Sequence, residues 1–344
     1  MSTKRILGFS VVFILLCLLI YLQVRTWKNF DWQVFWSRTD QVDPLGLIAG
    51  FAFTYLAYVL RAVRWRIFLK PVCKTTTARM MAPQFIGFSA LALLGRAGEM
   101  IRPYIIAKKE RLTFTSQIAV WGVERIFDMG AFAVLLALSF LSPDLRALPF
   151  YHGLREAAFV LMALVAALVV GAVIVRRSGE RVAQFFHNLF AGFAPKIAHH
   201  AEEKVRSFSE GLKTIHDVSS AVQLVAISIF MWLLIAFSYY TITHAYPGEL
   251  RSLTLAHQVV LMGSSMVGSM LQLPAVGGGS QLAAISMLHS GFGIEQELAV
   301  SCGMLIWAIS FMSVIPTGLA LARREHLSIR AVAEAEEKAA ALAE

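Results

Sequence analysis

The sequence predicts an all-α polytopic membrane protein of about six transmembrane helices and two re-entrant helical hairpins, arranged as an inverted repeat. Three observations predict it. Of 344 residues, 57% are hydrophobic and only 15% charged, with a mean hydropathy of +0.64, whereas soluble domains carry about a quarter charged residues. Nearly uncharged windows of about 20 residues recur, each long enough to cross a hydrocarbon core of about 30 Å. Two further apolar segments are broken by glycine, proline or charge.

The windows fall at 6–24, 44–60, 114–141, 154–175, 221–243 and 298–322. Lys4 and Arg5 precede the first as they would in a signal peptide, but no small-residue cleavage site follows, so it reads as an uncleaved span. Basic residues cluster after the second window (Arg61, Arg64, Arg66, Lys70, Lys74, Arg79) and before the third (Lys108, Lys109, Arg111). They recur after the fourth (Arg176, Arg177, Arg181) and the last (Arg323, Arg324). The connections at 25–43, 142–153, 244–252 and 289–297 balance their charges. Positive-inside counting then places both termini and the 176–219 loop in the cytoplasm of a cell with an inner membrane. The net charge of +9 is therefore a topology signal and not a nucleic-acid footprint.

The same plan appears twice: span, span, interrupted segment, span. Residues 1–141 form the first membrane repeat and 142–324 the second, with an amphipathic cytoplasmic insertion at about 176–219 and a tail at 325–344. An odd number of crossings in each half makes the second an inverted copy of the first, which is a transporter plan. Within the insertion, Phe185, Phe186, Leu189 and Phe193, then Val205, Phe208, Leu212 and Ile215, recur at helical spacing. These helices either lie on the inner membrane surface or cover the ends of the spans.

The interrupted segments carry the chemistry. Residues 82–94 contain no charge, reaching mid-bilayer at 1.5 Å per residue without crossing. In LLGRAGEMIRPY, residues 93–104, Gly95 and Gly98 allow a turn, Arg96, Glu99 and Arg102 recur every third residue along one side of the returning helix, and Pro103 ends or kinks that side. Backbone of this kind is tolerated at depth only where it faces protein or water. The second, SMLQLPAVGGGSQLAAI at 269–285, has Pro274 to end a short helix, Gly277, Gly278 and Gly279 to expose amides, and Ser280 and Gln281 to start the next. Such a helix start attracts phosphate; the glycines equally suit close helix packing. In VERIFDMG, Glu124, Arg125 and Asp128 stand about ten residues into a span, where each ionisable group costs roughly 2.5 to 3.5 kcal/mol unless paired or wet. Arg125 and Asp128 are spaced to bridge, and Glu124 is left to meet Arg96 or Arg102. The network either fixes the hairpin or lines a substrate path, and the two roles are compatible.

Together these motifs resemble the flippase-like membrane domain of the lysylphosphatidylglycerol synthase family. Family patterns like GRxGExxR and ERxxD match at Gly95, Arg96, Gly98, Glu99 and Arg102 and at Glu124, Arg125 and Asp128. A later PGGxGxxE-like element keeps its glycines but has Ala283 where a glutamate is expected, which bears on ion coupling and on the choice of lipid. The resemblance implies translocation of an anionic phospholipid, glycolipid or lipid-linked intermediate between leaflets, without cofactor. In full-length synthases this domain joins a soluble aminoacyl transferase; the 22 residues after the last window leave no room for one, so the expectation is the translocating portion alone. The competing class is an accessory or scaffold subunit for a lipid-modifying enzyme partner, or a membrane-embedded transferase itself. No HExxH, GxSxG or P-loop pattern occurs, the nine histidines lack metal-ligand spacing, and Cys17, Cys73 and Cys302 are scattered.

Overall fold

The computed structural model describes residues 31–191, 218–273 and 277–325; within them, the side chains of 96, 97, 186, 189–191 and 271–277 are not described. The first predicted span, residues 192–217 of the insertion, Pro274 and residues 326–344 of the tail lie outside these residues. The described chain is helical apart from one two-residue antiparallel pairing.

A short helix α1, Trp32–Asp40, is capped by Asp31. Asp43 then caps α2, Pro44–Leu69, by accepting from the amide of Leu45, with Pro44 in the first turn where a missing N–H is harmless. Helix α3, Thr77–Leu94, is capped by Thr76 and ends at Gly95, whose φ of 69° only glycine adopts readily. A 3-10 turn at Gly95–Met100 leads into α4, Ile101–Glu110. Helices α5, Phe114–Ser139, and α6, Tyr151–Ala191, follow, the latter kinked at Ser178. The second half contains α7, Val218–His244; α8, Leu255–Gly268; the paired strands β1, Gln272–Leu273, and β2, Gly277–Gly278; and α9, Gly279–Ser286. Helix α10, Gln296–Trp307, continues through a π-helical turn at Ala308–Met312 into α11, Val314–Arg324.

Among the described residues, four helices are long and apolar enough to cross a membrane: Pro44–Leu69, Tyr151–Phe185, Val218–His244 and Gln296–Arg324. Helix α5 matches α2 at 26 residues, but Glu124, Arg125 and Asp128 near its middle set it apart from that apolar class. The second predicted window needs correction. It does not stop at residue 60: the helix runs on to Leu69, so Arg61, Arg64 and Arg66 are helical and not loop charges. The reason is visible afterwards in the apolar residues that continue between them, with Ala62, Trp65 and Phe68 fully buried.

The most extensive helix contact joins α2 to α7. These helices run antiparallel, since Gly46 abuts Ala245, Gly50 abuts Ile242, and Thr54 hydrogen-bonds Ser238 at 2.9 Å. Their C-terminal ends therefore lie on opposite sides. A helical hairpin leaves each of those ends. In the first, α3 and α4 close at the base through Arg79 and Glu110 at 3.0 Å. In the second, α8 and α9 return to the same side, where the rings of His257 and Phe292 meet at 5.1 Å. The hairpins thus point toward each other, and β1 at the tip of one lies beside the Gly95–Met100 turn of the other. Helix α3 packs on α2 and α11, while α8 packs on α7 and α5.

Glycine sets how tightly each hairpin folds. A Cβ on Gly98 would stand 2.3 Å from the carbonyl oxygen of Ala90, and one on Gly268 would stand 2.1 Å from that of Gly279. Both contacts are with backbone, which cannot swing aside. The returning arm of the first hairpin also differs from the sequence expectation: it begins as a 3-10 turn and becomes α-helix only at Ile101, so Pro103 sits inside the first turn of α4, where proline costs no helical hydrogen bond.

Candidate functional site

Five helices bring their polar side chains to one buried point. Glu124 on α5 is fully enclosed, and its Oε1 accepts from Nη2 of Arg64 on α2 at 2.6 Å and from Nη1 of Arg102 on α4 at 3.2 Å. Its Oε2 accepts from Nη2 of Arg102 and lies 3.5 Å from Nη2 of Arg125. One turn along α5, Asp128 Oδ1 accepts from Arg64 Nη1 at 2.7 Å and from the indole N–H of Trp232 on α7 at 3.2 Å. Its Oδ2 faces Arg125 at 3.1 Å and Arg61 at 3.7 Å. Arg64 also donates to Ser228 on α7 at 2.9 Å, and Arg102 donates to Gln84 on α3 at 3.0 Å.

The arginine fork explains why Arg64 occupies the centre. Its two terminal nitrogens reach both carboxylates and a hydroxyl at once, which a lysine ammonium on a flexible stem cannot do in one fixed geometry. Aromatic faces cover much of the remaining guanidinium surface. Arg102 lies 4.5 Å from the centroid of Trp65, Arg61 lies 4.9 Å from that of Phe88, and Arg125 lies 5.8 Å from that of Trp121.

The charges do not balance. Arg61, Arg64, Arg102 and Arg125 share two carboxylates at ion-pair distance, Glu124 and Asp128, and Glu99 at the rim of the same cavity is a third, which leaves one positive charge over among the described residues. Three of the guanidinium groups are sealed, while the Arg125 side chain is 39% exposed. Arg125 and Arg102 line a small cavity of about 20 Å³ together with Gly87, Phe88, Leu91, Glu99 and Trp121, room for about one water molecule. Arg64 Nε and Gln84 Nε2 are buried without a hydrogen-bond partner among the described residues.

The structure thus brings Arg102, Glu124, Arg125 and Asp128 into one network with Glu99 at its rim, and the anticipated Arg125–Asp128 and Arg102–Glu124 pairs both form. Arg96 lies in the Gly95–Met100 turn, and its side chain is outside the described set. Sequence reasoning missed Arg61 and Arg64. The signal available was their i,i+3 spacing amid residues that stay apolar, the same pattern that marked Glu124 to Asp128.

The glycine-rich element departs from its expectation. The short helix preceding it ends at Gly268, followed by one 3-10 turn at Ser269–Leu271, before Pro274 is reached. Gly277 and Gly278 are not bare: they pair with Leu273 and Gln272 across the two-stranded ladder, which occupies backbone groups that a phosphate was expected to use. Gly278, at φ 128°, precedes Gly279, Ser280 and Gln281 in the first turn of α9, and the Ser280 hydroxyl is buried without a partner among the described residues. The backbone of this tip lies beside the turn that carries Arg96 and Glu99.

Residues 5–318 match the family described as the lysylphosphatidylglycerol synthase TM region. The chain belongs to that family. The match extends from the first predicted span into α11, so the buried network and both hairpins fall inside it. Among relatives, a UPF0104 membrane protein of Methanothermobacter thermautotrophicus is 22% identical over 304 residues, covering 81% of this chain and 85% of its own. That description places the relative in a membrane and names no substrate. The family assignment and the apolar helices make this chain a multi-pass membrane protein.

Proposed function

We propose that this member of the lysylphosphatidylglycerol synthase transmembrane family translocates a lipid with an anionic headgroup, phospholipid, glycolipid or lipid-linked intermediate, between leaflets. The observation that carries the reading is the charge excess: four guanidinium groups face two carboxylates at ion-pair distance and a third, Glu99, at the rim. Buried charge in a membrane is tolerated when it is compensated, and a phosphate supplies what the carboxylates lack.

In this reading α5 is a further span despite its charges, and α3–α4 and α8–α9 are re-entrant hairpins entering from opposite faces. The antiparallel α2–α7 pair supports an inverted repeat with halves near 1–141 and 142–324. So does the exchange of contacts, α3 against the last helix of the second half and α8 against the last helix of the first. The basic ends, with Lys108, Lys109, Arg176 and Arg323, lie in the cytoplasm of an inner-membrane protein with both termini inside. At 1.5 Å per residue, Glu124 stands about 15 Å along α5 from Phe114, near the middle of a core of about 30 Å. Arg125, the one partly open cation of the network among the described residues, receives the headgroup phosphate; Arg102 and Arg61 extend its field; Glu99 at the rim competes for Arg125 and promotes release. Glu124 and Asp128 hold the guanidinium groups in place. Rocking of one repeat on the other would then expose the pocket alternately.

The test is reconstitution into vesicles with a fluorescent phosphatidylglycerol and a membrane-impermeant quencher. Wild type moves the reporter, and Arg125→Gln slows it at least tenfold, while Arg125→Lys retains part of the rate. Equal rates in wild type and Arg125→Gln remove the proposed role. No movement of any anionic lipid by folded protein favours an accessory role beside a lipid-modifying enzyme, or a transferase.

A further inference from the structure

A second feature lies behind the arginine network, on the opposite side of α5 from the Arg125 cavity. Helix α6 packs along α5 but diverges from α7, and only 6% of its most apolar stretch is buried. The wedge between them is a cleft of about 430 Å³, floored by Val123, Phe127 and Val134 of α5. Its walls are apolar, and its polar lining residues are Ser228 and Arg176. Along α6 it runs from Met162 to Arg176, about 21 Å at 1.5 Å per residue.

Three physical facts select the occupant. A volume in the 300–1,000 Å³ range of ligand pockets, lined by valine and alanine and open toward hydrocarbon, repels water. A single extended acyl chain fits, since the cleft exceeds the about 15 Å that one leaflet contributes to a hydrocarbon core of about 30 Å. Charge decides the headgroup: Arg176 lines the basic end and is exposed, with Arg177 exposed beside it. Basic pockets at helix ends attract anionic headgroups.

We propose that this cleft holds a resident anionic glycerophospholipid, one acyl chain between α6 and α7 and its phosphate on Arg176. The tail lies along the wall that contains Ser228, the buried hydroxyl that accepts from Arg64, and so packs against the rear of the buried network. The proposal does not depend on translocation.

The experiment is native mass spectrometry of the full chain released from nanodiscs of equimolar phosphatidylglycerol and phosphatidylcholine. Wild type retains one phosphatidylglycerol in preference to phosphatidylcholine. Arg176→Gln lowers that retention about fivefold, the equivalent of ~1 kcal/mol for one interfacial basic residue, and Ala172→Phe, which fills the cleft, lowers it further. Arg125→Gln leaves it unchanged. Equal retention of the two lipids by wild type, or undiminished retention in Arg176→Gln, overturns the proposal, and a lipid-free dimer assigns the cleft to a second copy instead. Loss in Arg125→Gln with retention in Arg176→Gln moves the lipid to the arginine network, overturning the cleft site while leaving the translocation reading standing. Arg176 is exposed, so its variant tests the idea even if Ala172→Phe fails to fold.

Discussion

Replacing Glu124 with glutamine removes one negative charge and almost nothing else, which makes it a direct probe of the network. Glutamine keeps one acceptor oxygen for Arg64 Nη2, now 2.6 Å from Glu124 Oε1, but presents an NH₂ group to Arg102 and Arg125, where two donors face a third. The local excess of positive charge rises by one. Removing one partner of a buried ion pair costs about 3–5 kcal/mol, a large fraction of the about 5–15 kcal/mol that holds a domain folded. At roughly 2–4 °C per kcal/mol, Glu124→Gln should lower the midpoint of thermal unfolding in detergent by on the order of 10 °C. The exposed pair supplies the contrast: Arg79, 53% exposed beside Glu110, should lose no more than about 1 kcal/mol on change to glutamine. In the double variant Glu124→Gln, Arg102→Gln the uncompensated charge is removed again, so part of the lost stability returns. A Glu124→Gln midpoint within one degree of wild type, or a double variant showing the plain sum of its parts, would refute the idea that Glu124 compensates buried arginines.

Three further outcomes follow from the same geometry. Arg64→Lys should destabilise by about 2–4 kcal/mol despite keeping its charge, because one ammonium cannot serve Glu124, Asp128 and Ser228 together; thermal unfolding indistinguishable from wild type would contradict the fork. Gly98→Ala places a methyl 2.3 Å from the Ala90 carbonyl oxygen and should cost about 1–3 kcal/mol, whereas Gly153→Ala, with nothing within 4 Å, should be nearly neutral in the same melt. In a cysteine-free background, Arg111→Cys at the base of the first hairpin and Glu249→Cys beside the base of the second should react with impermeant maleimide from opposite faces of oriented vesicles. Labelling from one face alone would exclude hairpins that enter from opposite sides.

How much of this was legible beforehand depends on which interactions are local. Helices of the apolar windows that fall within the described residues, the break at Gly95 and the pairing of Arg125 with Asp128 follow from composition, backbone freedom and i,i+3 spacing, and all three are present in the structure. The convergence of Arg102 on Glu124 could be anticipated because each needs a partner at the same depth. Arg61 and Arg64 were hidden by a rule that usually works, since arginines after an apolar window mark the cytoplasmic edge. Here the helix carries them inward because Trp65 and Phe68 bury beside them. The strand pairing of Gly277 and Gly278 was equally hidden: glycine runs announce backbone freedom but not how it is used. Ser228, 164 positions from Arg64, and Trp232, 104 positions from Asp128, join the site through the packing of α7 on α2 and on α5, which no short-range pattern encodes.

The central claim is that unbalanced arginines inside the membrane accept an anionic headgroup. It is tested most directly by presenting wild-type protein in vesicles with reporter lipids of identical tails whose headgroups are anionic, zwitterionic or cationic. The account predicts that the anionic reporter crosses at least tenfold faster than the other two, with the difference narrowing in Arg125→Gln. Equal rates for all three headgroups, or a faster cationic reporter, would contradict it.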